Sequence, residues 1–219
     1  MVFSESELNK LHETTELYQK TKLLIIRAEE FDKDDKTKIG AFDELRHAFD
    51  HIMRVFSLKF DLRNDIKNPE QYSSENLGKL YAHVFRAGYD ALDWLNISYF
   101  KKISNLLKKY HREDIRDAIP DYYSKIQMNL IEIKKKIVEY RSQKDVGTLE
   151  KNVFNGYIEK IQELDEYYEE IIAKQEQLIS IKRKRIKETI LGIPFLVGTL
   201  IGIISISISI FIYINSCNI

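Results

Sequence analysis

The sequence predicts an all-α protein: a cytosolic up-and-down bundle of five to six helices, with a long C-terminal helix leading into one transmembrane helix. Three observations carry this. Only 3 prolines and 8 glycines occur in 219 residues, so little interrupts a helix. Apolar residues recur at spacings of three and four through most of the chain. Residues 190–214 hold no charge. A helix over that stretch would rise about 37 Å, more than the ~30 Å of a hydrocarbon core.

Ser4 and Glu7 stand at capping-box spacing and open a first helix to about residue 31, with Leu17, Leu24, Ala28 and Phe31 on its apolar side. The polar run 32–38 makes a connection. A second helix, about residues 39–60, carries Phe42, Leu45, Phe49, Ile52 and Phe56 as its apolar stripe. Beside that stripe run Asp43, His47, Asp50 and Arg54, flanked by Arg46 and His51. A third helix, about 75–97, sets Leu77, Tyr81, Val84, Gly88, Ala91 and Leu95 toward the core. Its polar line is His83, Arg86, Asp90 and Asp93. Two such lines facing each other would pair into a partly buried network; the alternative is a solvated face of mixed charge.

A fourth helix, about 98–110, is basic on one side through Lys101, Lys108 and Arg112, and a short segment ends at Pro120. A fifth helix covers about 121–143, and residues 145–147 break it. The last begins near residue 148, where Phe154, Ile158, Ile161, Tyr168, Ile172 and Ile179 keep a helical period. The chain thus divides into a bundle at 1–147, a stalk at 148–189 with a basic collar at 182–187, a transmembrane helix at 190–214 and a short tail at 215–219.

The collar residues Lys182, Arg183, Lys184, Arg185 and Lys187 are of the kind retained on the cytoplasmic side. No apolar segment precedes the bundle. The expected localisation is a single-pass, tail-anchored membrane protein with its N-terminal domain cytoplasmic and its C-terminus outside. Gly198 and Gly202, continued by Ser205 and Ser209, make a small-residue face on which two membrane helices can associate. The expected partners are therefore the lipid bilayer and further copies of the chain. One cysteine, Cys217, leaves no internal disulfide and no cysteine zinc site.

The chain ahead of the collar is mildly acidic, which argues against general nucleic-acid binding. No glycine-rich phosphate loop or nucleophile elbow occurs, and no cofactor is expected. Asp43, His47 and His51 share a helix face that His83 and Asp90 could complete as a metal shell. The interleaved Arg46, Arg54 and Arg86 would repel a cation, so no metal is expected either.

The run Arg46-His47-Ala48-Phe49-Asp50-His51 resembles the Arg-[Asn/Asp/His]-x-x-x-His motif of HEPN domains. These are helical bundles used by many prokaryotic RNA-cutting toxins and antiviral nucleases. The resemblance implies a domain that dimerises, with the motifs of two protomers forming one composite site. It maps the catalytic pair onto Arg46 and His51, with His47 in the variable position. Asp43, Asp50, Arg54, His83, Arg86 and Asp90 would be supporting groups. An imidazole near its pKa can move the proton of a 2′-hydroxyl or leaving group, and a guanidinium offsets charge developing on phosphate, without metal. RNA would then be the substrate, and a regulatory protein would hold the activity in check. The motif sits in the second helix, earlier than in many HEPN domains.

Two other classes fit the layout. A non-enzymatic effector would oligomerise through its anchor and perturb or permeabilise the membrane, with Ser205 and Ser209 lining a lumen. The order of bundle, stalk, collar and anchor is also similar to syntaxin-type SNARE proteins, although Gly156 and Asp165 interrupt the stalk.

Overall fold

A computed structural model describes residues 2–31, 39–143 and 151–216, and within these the side chains of residues 39, 191–196 and 211–216 lie outside the description. The helices are α1 (Glu5–Phe31), α2 (Ile39–Lys59), α3 (Pro69–Leu107), α4 (Arg112–Ala118), a π-helical turn (Tyr122–Ile126), α5 (Gln127–Gln143), α6 (Lys151–Ala173) and α7 (Gln175–Ser216). The polar run 32–38, the break at 145–147, and Cys217 fall outside the described residues.

Helix α3 is the axis of the bundle. It is 39 residues long, joining what the sequence divides into two helices at residues 97 and 98. No proline or glycine stands there to stop it. Pro69 occupies the first turn, and Asn68 Oδ1 accepts from Gln71 N at 3.2 Å. Helices α1, α2 and α6 all pack against α3, so its buried residues extend round most of the helix and include Phe85, Tyr89, Trp94 and Tyr99. Side chains of α1 and α6 both reach α3 at Gly88: a Cβ there would stand 2.8 Å from Thr21 Oγ1 and 2.7 Å from Phe154 Cζ.

Helix α2 is turned relative to the expected stripe. Ala41, Ala48 and Val55 are the residues buried against α3, with Leu45 and Ile52 half-buried beside them. Phe49 is 64% exposed, and Phe42 and Met53 are exposed with it. Small side chains let α2 lie close to α3, and no helix covers its outer side among the described residues.

Polar ties cross the bundle at three levels. Asp165 of α6 accepts from the Tyr99 hydroxyl at 2.5 Å and pairs with Arg27 of α1. Burial first, and then that hydrogen bond, push the Tyr99 phenol well above its ordinary value. Asp93 of α3 accepts from the Tyr157 hydroxyl at 2.7 Å and from Arg141 Nε at 3.1 Å. Asp93→Ala would strand the hydroxyl of fully buried Tyr157, at a cost of about 1–3 kcal/mol. Thermal melts of Asp93→Ala and Asp93→Asn test this. The asparagine, which keeps an acceptor, should lose less, and an unchanged melt for the alanine would refute it.

At the opposite end the capping box forms as the sequence reads. Ser4 N donates to Glu7 Oε2 at 2.8 Å and Glu7 N donates to Ser4 Oγ at 3.3 Å. The same carboxylate accepts from Lys59 Nζ at 2.7 Å and from the Ser73 hydroxyl. Burial works to raise the Glu7 pKa, but the bonds from Lys59, Ser73 and Ser4 outweigh it and hold it at about 2, against an ordinary 4.5. A depressed carboxylate pKa means stability that is present above the unfolded value and lost as pH falls through the folded one. The advantage of wild type over Glu7→Gln should therefore shrink between pH 4.5 and 2, by on the order of 3 kcal/mol. Denaturant titrations across that window are the measurement; a constant difference would refute it.

The C-terminal reading needs correction. Among the described residues no helix is long and apolar enough to cross a membrane. A transmembrane helix, a tail anchor, and a single-pass topology with the N-terminal domain cytoplasmic and the C-terminus outside are therefore not supported. A Cβ at Gly198 or Gly202 would meet nothing within 4 Å. Ser205 and Ser209 donate to Ile201 O and Ser205 O of their own helix, each at 2.9 Å.

The basic collar is split as well. Arg185 binds Asp114 of α4 with two hydrogen bonds, from Nε at 2.8 Å and Nη2 at 2.9 Å. Lys182 Nζ donates to Lys109 O at 2.8 Å. Arg183, Lys184 and Lys187 remain exposed. Two of the five cations thus fasten α7 to the bundle. The break between α6 and α7 falls at Lys174, so the stalk is not one unbroken helix.

Candidate functional site

Three imidazoles meet where α2 crosses α3. The His51 and His83 rings are stacked, with centroids 5.2 Å apart at 20°, and the His47 ring lies 5.3 Å from that of His83. His47 and His51 are one helical turn apart on α2, so both reach one residue of α3.

Each ring is held by a polar neighbour. His51 Nδ1 lies 2.9 Å from Asn76 Oδ1, while Asn76 Nδ2 donates to Tyr72 O at 2.8 Å. That second bond fixes the amide so that its oxygen faces the imidazole. His51 therefore donates through Nδ1–H, and in the neutral ring Nε2 keeps the lone pair that can accept a proton. Asn76 is buried, which makes it a firm positioning residue.

His83 Nδ1 lies 2.6 Å from Glu44 Oε2, and Arg86 Nε donates to the same oxygen at 2.9 Å. Arg86 Nη2 comes within 2.8 Å of His83 Nδ1. Burial lowers the His83 pKa, and it wins over the carboxylate of Glu44, with Arg86 and His51 adding repulsion. The Glu44 carboxyl is held below its ordinary value: burial opposes this, but the bonds from His83 and Arg86 prevail.

Arg46 stands outside this group. Its Nη2 donates to Asp43 Oδ1 at 2.8 Å and lies 3.2 Å from His47 Nε2, with the side chain 70% exposed. Five residues separate Arg46 from His51, about 140° around the helix, so the two do not converge within one protomer. Arg46 instead shares the outer ridge of α2 with Phe42, Phe49 and Met53.

The remaining sequence-chosen groups disperse. Asp50 pairs with Arg54 at 2.5 Å on the solvent side of α2. Asp90 lies against Gly40 in the first turn of α2, where a carboxylate suits the positive helix end. Among the described residues no three His, Cys, Asp or Glu side chains are grouped so as to hold a metal ion. Sequence reading missed Glu44 and Asn76. Their partners are 39 and 25 residues away, beyond any local pattern.

Compared with family models, with curated proteins and with solved structures, the chain matches none. The motif and the side-chain geometry are what remain to argue from.

Proposed function

We propose that this protein cleaves RNA without metal, at a composite HEPN-like site assembled from two copies of the chain. The observation that carries the reading is the 2.9 Å contact between His51 Nδ1 and Asn76 Oδ1. With Nδ1–H donating to that oxygen, the lone pair on Nε2 suits removal of a 2′-hydroxyl proton. Attack of that oxygen on the adjacent phosphorus would expel the 5′-oxygen and leave a 2′,3′-cyclic phosphate. Arg46, exposed and set apart from His51, is the guanidinium that one protomer would offer to the phosphate at the partner's imidazole. His83, whose pKa burial lowers, is stacked on His51.

The outer ridge of α2 supports the dimer. Phe49, Phe42 and Met53 are exposed beside Arg46, an apolar strip on the helix that carries the motif. Burying it between two copies would bring each Arg46 toward the other protomer.

Purified full-length protein incubated with RNA in excess chelator is the test. Fragments ending in 2′,3′-cyclic phosphate are expected, and intact RNA would end the proposal. Phe49→Glu places a charge on the ridge and should convert dimer to monomer in light scattering, with cleavage lost in parallel. A monomeric Phe49→Glu protein that cuts as well as wild type would remove the composite site.

A further inference from the structure

The other end of the bundle holds an aromatic groove with a basic rim. It lies between the end of α3, α4, the π-helical turn and α5, with a volume of about 560 Å³. That falls inside the ~300–1,000 Å³ range of small-molecule sites. Its floor includes Leu130 and the two tyrosines of the π turn, Tyr122 and Tyr123, whose rings stand 5.0 Å apart at 89°. A π turn admits an extra residue into the helix, and here it directs two successive aromatic rings into one groove. Lys108, Arg112 and Lys134 stand around it, and no acidic side chain is among its described lining residues. Arg112 already lies over the face of Tyr123, 4.8 Å from its centroid.

We infer that this groove binds a nucleoside phosphate. The perpendicular tyrosines offer one face and one edge to a flat base. Three cations from three different segments exceed what a single carboxylate needs, and they match the multiple charge of a phosphate. Arg112, held over Tyr123, links the two halves of the site: it lies against an aromatic ring and its N–H groups can reach phosphate oxygen. The groove lies about 30 Å along α3 from His83, so it is a second site, independent of the RNA-cutting reading.

Isothermal titration of the full chain with adenosine 5′-monophosphate, adenosine 5′-triphosphate, adenosine, inorganic phosphate and decanoate tests this. Saturable nucleotide binding is expected, with adenosine and phosphate alone each at least about tenfold weaker. Tyr123→Leu and Arg112→Ala should each weaken nucleotide binding by about tenfold or more. Lys134→Glu sits on an exposed helix face, so it should reverse the local charge without unfolding and abolish binding. His51→Ala should bind the nucleotide as wild type does, which separates this site from the catalytic proposal. Absence of nucleotide binding, binding indifferent to Lys134→Glu, or binding of decanoate in preference to nucleotide would each overturn the inference.

Discussion

Replacing His51 by alanine is expected to lower RNA cleavage by about 10²–10⁴-fold, the usual worth of a positioned general base. The fold should survive at a cost of about 1–3 kcal/mol, because His51 is only half-buried and Asn76 keeps its bond to Tyr72 O while its Oδ1 loses the imidazole. Arg46→Ala should show a loss of similar size with wild-type stability, since a guanidinium paired with Asp43 at the surface contributes little to folding. The two variants together make a stronger test than either alone. Mixed at equal concentration and allowed to exchange subunits, they form heterodimers in which one composite site has both residues and the other has neither. Activity should return to about one quarter of wild type, from half the dimers carrying one working site of two. A site complete within one protomer gives no recovery at any ratio. Asn76→Ala supplies the positioning control. It frees the His51 tautomer, so cleavage should fall and its pH profile should shift while RNA binding persists.

The second large effect concerns the core. Phe154→Ala should cost about 3–5 kcal/mol, because this nearly fully buried ring touches Phe85, Tyr89 and the gap above Gly88. Gly88→Ala should cost about 1–3 kcal/mol from the opposite cause. Its new methyl would overlap the end of that ring and the Thr21 hydroxyl. The two substitutions address one space, so they should not add. Combining Gly88→Ala with Phe154→Leu, which withdraws the clashing ring atoms, should leave the double variant more stable than the sum of the single losses predicts. Denaturant midpoints of the four proteins complete the cycle. Strict additivity would mean that α1, α3 and α6 do not meet at Gly88 as described.

What the sequence discloses here depends on how local the chemistry is. The Ser4–Glu7 box is legible because both partners and both bonds lie within four residues. The α3 core line from Leu77 to Leu95 is legible because helices press on α3 from several sides, so nearly every apolar residue on it is buried. Helix α2 misleads for the contrary reason. It packs mainly on α3, the side that meets α3 closely must be small, and so Ala41 and Ala48 go inward while Phe42 and Phe49 stay out. A pattern that scores size as burial selects the wrong face. The histidine cluster was half legible: the polar lines on α2 and α3 do meet, through His47, His51 and His83. Their partners Glu44 and Asn76 were chosen by the crossing of two helices, which no spacing within one helix encodes. The uncharged run 190–214 shows a limit of a different kind. Composition alone suggests a membrane-crossing length, whereas among the described residues no helix is long and apolar enough to cross a membrane.

Because α3 runs unbroken from Pro69 to Leu107, the histidine cluster and the tyrosine groove are mounted on one rod. A continuous helix resists bending, so a small displacement at one end is transmitted as a tilt instead of being absorbed at a hinge. Over the ~30 Å between the two places, a tilt of about 5° moves the far end by about 2.6 Å. That is the scale on which an imidazole enters or leaves reach of its proton donor. The groove is also bounded by α4, to which Arg185 clamps α7, so a ligand seated there presses on the same short helix that tethers the C-terminal arm. If α3 tilts as one body, the contacts of Thr21 and Phe154 at Gly88 mark the point about which it would turn.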